Sequence, residues 1–337
     1  MSESLNYEAA ILCASRSSMT RAFVGYLDRR CGITPGSRVV VAVSGGPDSV
    51  ALAVLSAAVS LRRTPAVIRP IIAHVDHGLR DESGEEARMV AELAAGLGVP
   101  SRSCAVDVVR DGKGLSAAAR DARYTALANI AHETGATAVL TGHHADDQSE
   151  TMLLAMARGS GLAGIQGMPY VRPLDGDVRL CRPVLSFRRS SLHTLVEDCG
   201  LPYCIDPGNT STESPRSVVR NEVIPLLERI YPGASERISE LANDIRHECS
   251  GGAYNATVSW KRAALKTISH SECAATIRNA SLGLDSTAAS CSRSHWQSVV
   301  DMIQGDRNDP RVIEITKNLT IVVDSKEVRF AEAASND

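Results

Sequence analysis

Several absences narrow the field before any motif is read. The chain has nine cysteines, at positions 13, 31, 104, 181, 199, 204, 249, 273 and 291, yet no Cys-x-x-Cys pair. An odd number without paired spacing suggests neither a disulfide framework nor a zinc or iron–sulfur site. Free thiols in a reducing cytosol are the simplest account. There is no apolar run long enough for a signal peptide or a membrane span, and Glu3 and Glu8 stand early. The sequence therefore reads as cytoplasmic, with no membrane partner. Strong charge is missing too: the net charge is -3 and the pI about 6.3. Bulk electrostatics do not announce a nucleic-acid partner, so any RNA contact must come from local arginine clusters. Internal repeats and low-complexity tracts are also lacking.

What is present is an ordinary globular composition, 44% hydrophobic and 22% charged over 337 residues. That length can bury a full core and hold two or three domains. Arg38 to Val43 is a β-branched run without breakers, which predicts a buried parallel strand. Ser44-Gly45-Gly46-Pro47-Asp48-Ser49 follows, and then the apolar stretch Val50 to Leu55, which predicts a helix. A glycine turn between strand and helix lets backbone N–H groups come close to a ligand. The helix N-terminus adds donors and partial positive charge, so an anion is the expected guest. Asp48 can then hold a Mg²⁺ against that anion, while Ser44 and Ser49 donate hydroxyl hydrogen bonds. This is not the Walker loop, which needs a lysine that is missing here. A plain tight turn with Asp48 as helix cap is the other reading of the same six residues.

Elsewhere in the first two thirds, helix is expected over residues 7–31, 83–97 and 116–133, and strands over 67–75, 99–106 and 136–140. Ser83 and Glu86 have capping-box spacing. Alternation of this kind means a parallel sheet covered on both faces, with ligands beyond the carboxyl ends of its strands. The polar clusters Ser44 to Ser49, His74 to Arg80 and His143 to Gln148 all fall at such ends, which argues for a single site. The segment 206–215 is rich in breakers and reads as a surface loop. Two helices (216–230 and 234–247) and a smaller module after Gly251-Gly252 complete the chain. That module carries a helix near 296–303 and strands at 311–315 and 319–323. The predicted domains are 1–215, a helical linker over 216–250, and a small α+β domain over 251–337.

Three further groupings carry chemistry. Asp146, Asp147 and Glu150 share one side of a helix. They form either a solvated acidic face favourable to the macrodipole or a carboxylate site that attracts an ammonium group and acts as base when the amine attacks. Arg120, Arg123 and Tyr124 share a face by their i, i+3, i+4 spacing. The two guanidinium groups can hold a phosphate or carboxylate, or simply pair with Asp121. His74, Asp76 and His77 lack an evident fourth ligand, so nucleotide contacts are preferred to zinc. Arg172, Arg179, Arg182, Arg188 and Arg189 are candidates for RNA phosphate contacts.

The hexapeptide 44–49 resembles the pyrophosphate loop of the ATP-pyrophosphatase (PP-loop) superfamily. His74-Val75-Asp76-His77-Gly78-Leu79-Arg80, Ala119 to Tyr124, and Gly142-His143-His144-Ala145-Asp146-Asp147-Gln148 with Glu150-Thr151 resemble the tRNA(Ile)-lysidine synthetase family. So do Arg158 to Leu162, Gly167-Met168, Arg182-Pro183, Asp206-Pro207 with Asn209, and Arg216 with Arg220 to Leu227. Ser217 departs from the usual asparagine, and the C-terminal module matches only in outline. The resemblance implies a Rossmann-like α/β domain with ATP and Mg²⁺ as cofactors. Its substrates would be L-lysine and the isoleucine tRNA with a CAU anticodon. ATP would adenylate the C2 oxygen of the wobble cytidine and release pyrophosphate. The ε-amine of lysine would then displace AMP to give lysidine, changing the codon read from AUG to AUA. It implies Ser44, Gly45, Gly46, Pro47, Asp48 and Ser49 on the phosphates, with Asp48 placing Mg²⁺. His74 and Val75 would meet the adenosine, and His143, Asp147 and Arg120 would line the lysine and cytidine pocket, Asp147 receiving the amine. A tRNA thiolase of the same superfamily and a non-catalytic nucleotide-binding module are the alternatives. Monomer and homodimer are both compatible with the sequence.

Overall fold

A computed structural model describes residues 6–61, 67–76, 83–106, 115–204, 214–250, 259–285, 288, 291–307 and 309–332. In chain order the first elements are α1 (Tyr7–Arg16), α2 (Ser18–Arg29), β1 (Ser37–Ala42), α3 (Pro47–Leu61), β2 (Ile68–Asp76), α4 (Ser83–Gly96), β3 (Ser101–Ala105) and α5 (Leu115–Thr134). Next come β4 (Ala138–Leu140), α6 (Ala145–Ala157), α7 (Leu162–Ile165), β5 (Val171–Asp175), β6 (Val178–Cys181) and α8 (Arg189–Asp198). After these stand α9 (Pro215–Val218), a π-helical turn (Val219–Val223), α10 (Ile224–Ile230) and α11 (Ala234–Ser250). The last are β7 (Ser259–Lys261), α12 (Arg262–Lys266), α13 (His270–Leu284), α14 (Arg293–Gln304), β8 (Arg311–Glu314), β9 (Leu319–Val323) and β10 (Glu327–Glu332).

Two compact units emerge, Met1–Glu150 with Met168–Ser239, and Thr151–Gly167 with Glu240–Asp337. The sequence boundaries at 215 and 250 fall elsewhere than this division. In the first unit a six-stranded sheet has the order β3-β2-β1-β4-β6-β5. All pairings are parallel except β5 with β6. The chain runs outward from β1 to β3 and then returns to the far side of β1 as β4. The crevice between β1 and β4 is thus a topological switch point, where α/β sheets take their ligands.

β1 earns its central place by composition. Val39, Val40 and Val41 are fully buried, and each such side chain contributes about 1.5–3 kcal/mol relative to exposure. α3 is buried from Ser49 to Val59. A helix apolar all round must be covered all round, and α1, α2 and α8 pack on it together with the sheet. The turn at its N-terminus therefore rests on a rigid mount.

The predicted single helix over 7–31 is broken at Ser17. Its backbone is extended (φ -63°, ψ 140°) and its hydroxyl accepts from the Met19 amide, capping a second helix. The hairpin β5–β6 and α8 were not anticipated, being short and weakly patterned. In the second unit, helices α12 to α14 accompany an antiparallel sheet of order β7-β10-β9-β8. The strands expected at 311–315 and 319–323 are β8 and β9. β10 carried a legible alternation, with Val328 and Phe330 buried. Arg262 is 2% exposed and donates to the carbonyls of Met302, Ile303, Gly305, Arg307 and Asp324, so its buried charge is satisfied by backbone alone. No helix among the described residues is long and apolar enough to cross a membrane.

Candidate active site

The turn after β1 is held from within and from outside. Ser49 Oγ accepts from the Ser44 amide (3.2 Å) and donates to the Gly46 carbonyl (2.8 Å). Gly45 has φ +92°, where only glycine is at ease, and a Cβ there would meet Met89 at 3.1 Å. Its carbonyl accepts from the Cys204 amide at 2.9 Å. Across the crevice, Gly142 lets the end of β4 approach the first turn of α3. A Cβ on it would stand 3.1 Å from the Asp48 carbonyl. The Ser44–Ser49 turn and the Gly142–Glu150 segment are therefore neighbours, joined at the switch point.

Asp48 is the hinge of their electrostatics. One carboxylate oxygen lies 3.6 Å from His144 Nε2, the other 3.3 Å from His193 Nε2. Burial alone would raise its proton affinity, but the two imidazoles hold it well below the usual carboxylate range. Asp48 Oδ1 is buried without a hydrogen-bond partner among the described residues. An ionised, orphaned carboxylate oxygen beside a glycine turn suits Mg²⁺, which takes one or two carboxylates and completes its shell with phosphate oxygens and water. Asp48 would be the protein's contribution to such an ion. No group of three or more His, Cys, Asp or Glu that could hold a metal occurs among the described residues.

The acidic side of α6 is not a solvated face. Asp147 is 8% exposed and Glu150 0%. Glu150 accepts from Nε of Arg216 (2.6 Å) and Nε of Arg220 (2.5 Å), and Asp147 Oδ1 accepts from Nη2 of both, at 3.2 and 2.9 Å. The π-helical turn beginning at Val219 sits between α9 and α10, where the two arginines are presented together. The other Asp147 oxygen accepts from the His144 amide at 3.1 Å. Although burial opposes ionisation, His144, His143 and the two arginines keep Asp147 below its ordinary pKa. Burial also works against a charged His144, yet Asp147, Asp48 and Asp146 around it raise its pKa. Beside the acids, Gln148 is locked at both ends to Met168, at 3.0 and 2.6 Å. Asp146 accepts from the Arg189 amide at 2.8 Å.

A second arginine group stands on α5 and the β5–β6 hairpin. The guanidinium carbons of Arg120, Arg123 and Arg172 lie 5.1, 5.3 and 4.9 Å from the centroid of the Tyr124 ring. Arg182, 2% exposed, donates to the Pro169 carbonyl at 2.7 Å. Burial, reinforced by Arg172 and Arg120, lowers its pKa to about 10. His143 faces the same group: burial first, then Arg182, Arg120 and Arg123, push its pKa down to about 3 against the pull of Asp147. Among the described residues the buried Tyr124 hydroxyl has no partner in hydrogen-bond geometry. Among the described residues no carboxylate pairs with any of these four arginines.

The structure thus brings Ser44–Ser49, Asp48, His143 and Asp147 into one neighbourhood at the strand ends, with Arg120 beside His143. The His74 ring is 4% exposed and bonded to the Val43 carbonyl (2.9 Å), so it braces β1 against β2. Only the backbone there is left to meet a ligand. Val75 is partly buried beneath it. His77 to Arg80, Asp206, Pro207 and Asn209 lie outside the described residues, as does the Ser83 side chain. Of the arginines read as RNA contacts, Arg182 is buried, Arg188 pairs with Glu228 (3.0 Å), and Arg179 donates to the Cys31 and Gly32 carbonyls. Those three are committed to the fold. Sequence reading missed His193, the pairing of Arg216 and Arg220 with the acids, and the joining of Arg172 and Arg182 to the α5 cluster.

A family model described as the PP-loop domain matches residues 18–227. The chain belongs to the PP-loop family. Among curated relatives, the tRNA(Ile)-lysidine synthase of Novosphingobium aromaticivorans is 42% identical over 212 residues, 62% of this chain and 63% of that protein. The tRNA(Ile)-lysidine synthase of Methylobacterium nodulans is 40% identical over 233 residues, covering 69% and 66%. The chain therefore spans about two thirds or less of the length of these relatives. Among solved structures, the U34-tRNA thiolase NcsA from Methanococcus maripaludis with its [4Fe-4S] cluster superposes with a TM-score of 0.56 at 18% identity, covering 68% of this chain and 78% of that one. That likeness shows the PP-loop fold.

Proposed function

We propose that this chain is a tRNA(Ile)-lysidine synthase, joining free L-lysine to C2 of the wobble cytidine in the CAU-anticodon isoleucine tRNA. The observation that carries the reading is the meeting at one switch point of a PP-loop with Asp48 and of an ionised, arginine-held carboxylate pair, in a chain about 40% identical to proteins of that name. The backbone and hydroxyls of Ser44 to Ser49 take the phosphates of ATP, and the strand-end backbone at His74 and Val75 meets the adenosine. A Mg²⁺ held by Asp48 supplies charge neutralisation on those phosphates. Donors fixed before the reaction stabilise charge that develops on the α-phosphate as the cytidine oxygen attacks. The uncompensated guanidinium groups on α5 and β5 receive an anion of the second substrate, either an RNA phosphate or the carboxylate of lysine.

Proton affinities decide the role of Asp147. The lysine ammonium has a reference pKa of about 10.4 and a free Asp about 3.9, a gap of roughly 9 kcal/mol against transfer. His144, His143 and the two arginines, acting against burial, widen that gap. Asp147 therefore draws and orients the ammonium, and solvent is the final proton acceptor. His143, uncharged near neutrality, lines the pocket as a hydrogen-bonding group fixed to the Thr141 hydroxyl at 2.9 Å.

The test is incorporation of radiolabelled lysine by the full chain with ATP and the isoleucine transcript, a methionine tRNA serving as control. Labelling confined to the isoleucine transcript, with AMP and pyrophosphate in equal amounts, is expected. Equal labelling of both transcripts would overturn the substrate assignment. No pyrophosphate release with tRNA and ATP both present would favour the nucleotide-binding alternative.

A further inference from the structure

His193 belongs to no motif, yet it stands closer to Asp48 than His144 does. On the reading of Ser44–Ser49 as a nucleotide loop, we infer that His193 is a positioning residue that keeps the place of the divalent cation. Its Nε2 takes the Asp48 oxygen the ion needs and leaves it when the ion and nucleotide arrive.

The two histidines that flank Asp48 are unlike. His144 is 3% exposed and hemmed in by Asp146 and Asp147 at 3.6 and 3.5 Å, so it has nowhere to go. The His193 side chain is 28% exposed and leans on the Tyr203 ring at 6.4 Å. A staggered rotamer change is open to a side chain exposed along one edge at little cost. Its contact with Asp48 is close, 3.3 Å, yet among the described residues neither His193 Nε2 nor Asp48 Oδ1 has a hydrogen-bond partner. The approach misses hydrogen-bond geometry, so little is lost when the ring swings aside. The oxygen it covers is the one left orphaned, and an imidazole 3.3 Å from it fills the space that a metal ion bound there would take.

The segment that carries His193 also fixes the loop by another route. α8 ends at Asp198, and a few residues on the Cys204 amide holds the Gly45 carbonyl. Movement of the imidazole therefore leaves the loop's shape intact. A residue needed only to hold Asp48 in place would lower metal affinity when removed. A place-keeper does the opposite.

The experiment uses the full chain, Mn²⁺ as the probe, and α,β-methylene-ATP in saturating amount. Free Mn²⁺ is followed by electron paramagnetic resonance in wild type, His193→Ala, His193→Gln and Asp48→Asn. Mn²⁺ is expected to bind His193→Ala at least three-fold more tightly than wild type, with His193→Gln between them because its amide still donates. In wild type the ring resonances of His193 should shift when Mg²⁺ and the analogue are added. Unchanged or weakened Mn²⁺ binding in His193→Ala and His193→Gln overturns the inference, as does an unmoved His193 resonance, which needs no variant to fold. Asp48→Asn should lose the ion. Wild-type affinity there would instead bring down the nucleotide-loop reading, and this inference with it.

Discussion

Two pairs of arginines on the same unit teach opposite lessons. Arg216 and Arg220 meet Glu150 and Asp147 in a closed set of charge-assisted hydrogen bonds. Arg120 and Arg172, with Arg123 and Arg182 beside them, gather around a phenol with no carboxylate among the described residues to answer them. Stacking on an aromatic face returns only about 0.5–2 kcal/mol per cation. In the first set the buried acids Glu150 and Asp147 are held by Arg216, 42% exposed, and Arg220, 25% exposed, so loss of a partner is costly on the acid side and screened by water on the arginine side. The second stores unanswered positive charge and awaits an anion. One set should thus govern stability, the other binding.

The sharpest way to break that contrast is Glu150→Ala. It removes the fully buried acceptor of Arg216 and Arg220, which keep Asp147 and are 42% and 25% exposed, so a screened loss of about 1–3 kcal/mol is expected. The measurement is the shift of the urea midpoint at constant m-value. A loss below about 1 kcal/mol would show that water or Asp147 replaces Glu150, and the network would then not be a closed one. Glu150→Gln keeps the shape and should recover part of the stability, which separates charge from packing.

The complementary change is Arg120→Ala with Arg172→Ala. Removing two like charges relieves repulsion, so stability should be unchanged or slightly raised. Affinity for tRNA should instead fall by roughly 10- to 100-fold, and the slope of log affinity against log salt should drop by about one to two charges. Filter binding at several salt concentrations reads both. A fall in stability with unaltered tRNA affinity would make this cluster another structural network and erase the contrast.

Asp147→Asn touches the boundary between the two sets. With the carboxylate as an orienting charge and not the terminal base, the variant should raise the lysine concentration needed for half-maximal transfer about ten-fold, while leaving the rate at saturation within a few-fold. A collapse of the saturated rate from a preformed adenylated tRNA would restore the role of proton acceptor to Asp147.

The sequence conveyed one half of this contrast better than the other. Residues that act through their own backbone neighbours were legible: the glycine turn after β1, the alternation of strands and helices, and Arg120, Arg123 and Tyr124 on one helical face. Each is a short-range pattern fixed by helix or strand period. The partners of Glu150 stand 66 and 70 residues away along the chain, across a turn whose π geometry no periodicity announces. The side of α6 for which a solvated face is one of two readings is buried because those distant arginines come to meet it. Arg172 and Arg182 joined the α5 cluster through a hairpin too short to be read, and His193 reached Asp48 from a helix that carries no motif. Local pattern says where a charged group stands in its own element. Only the packing of elements says which opposite charge it will meet.

The smallest expected effect tests the uncompensated cluster through its neighbour. His143 has a folded pKa of about 3, against a reference of about 6.5 in the unfolded chain. Between these values the unfolded chain binds a proton that the folded protein refuses, so stability falls as pH drops from about 6.5 toward 3. One group accounts for at most about 1.4 kcal/mol per pH unit. His144, with its pKa raised, works in a different window. Its stabilisation is full below the unfolded pKa and fades as pH rises through its folded value. The carboxylates held low at Asp48 and Asp147 are lost only near pH 4 and below. Among these four groups His143 dominates the interval from pH 4.5 to 6, and His143→Asn should make the stability profile there less steep. Arg120 is one of the charges that depress His143, so Arg120→Ala should raise its pKa in a proton NMR titration, an effect of a few tenths of a unit. If His143 titrates near 6.5 in wild type, the cluster is already neutralised by an anion or by solvent, and its positive charge is no longer available to a substrate.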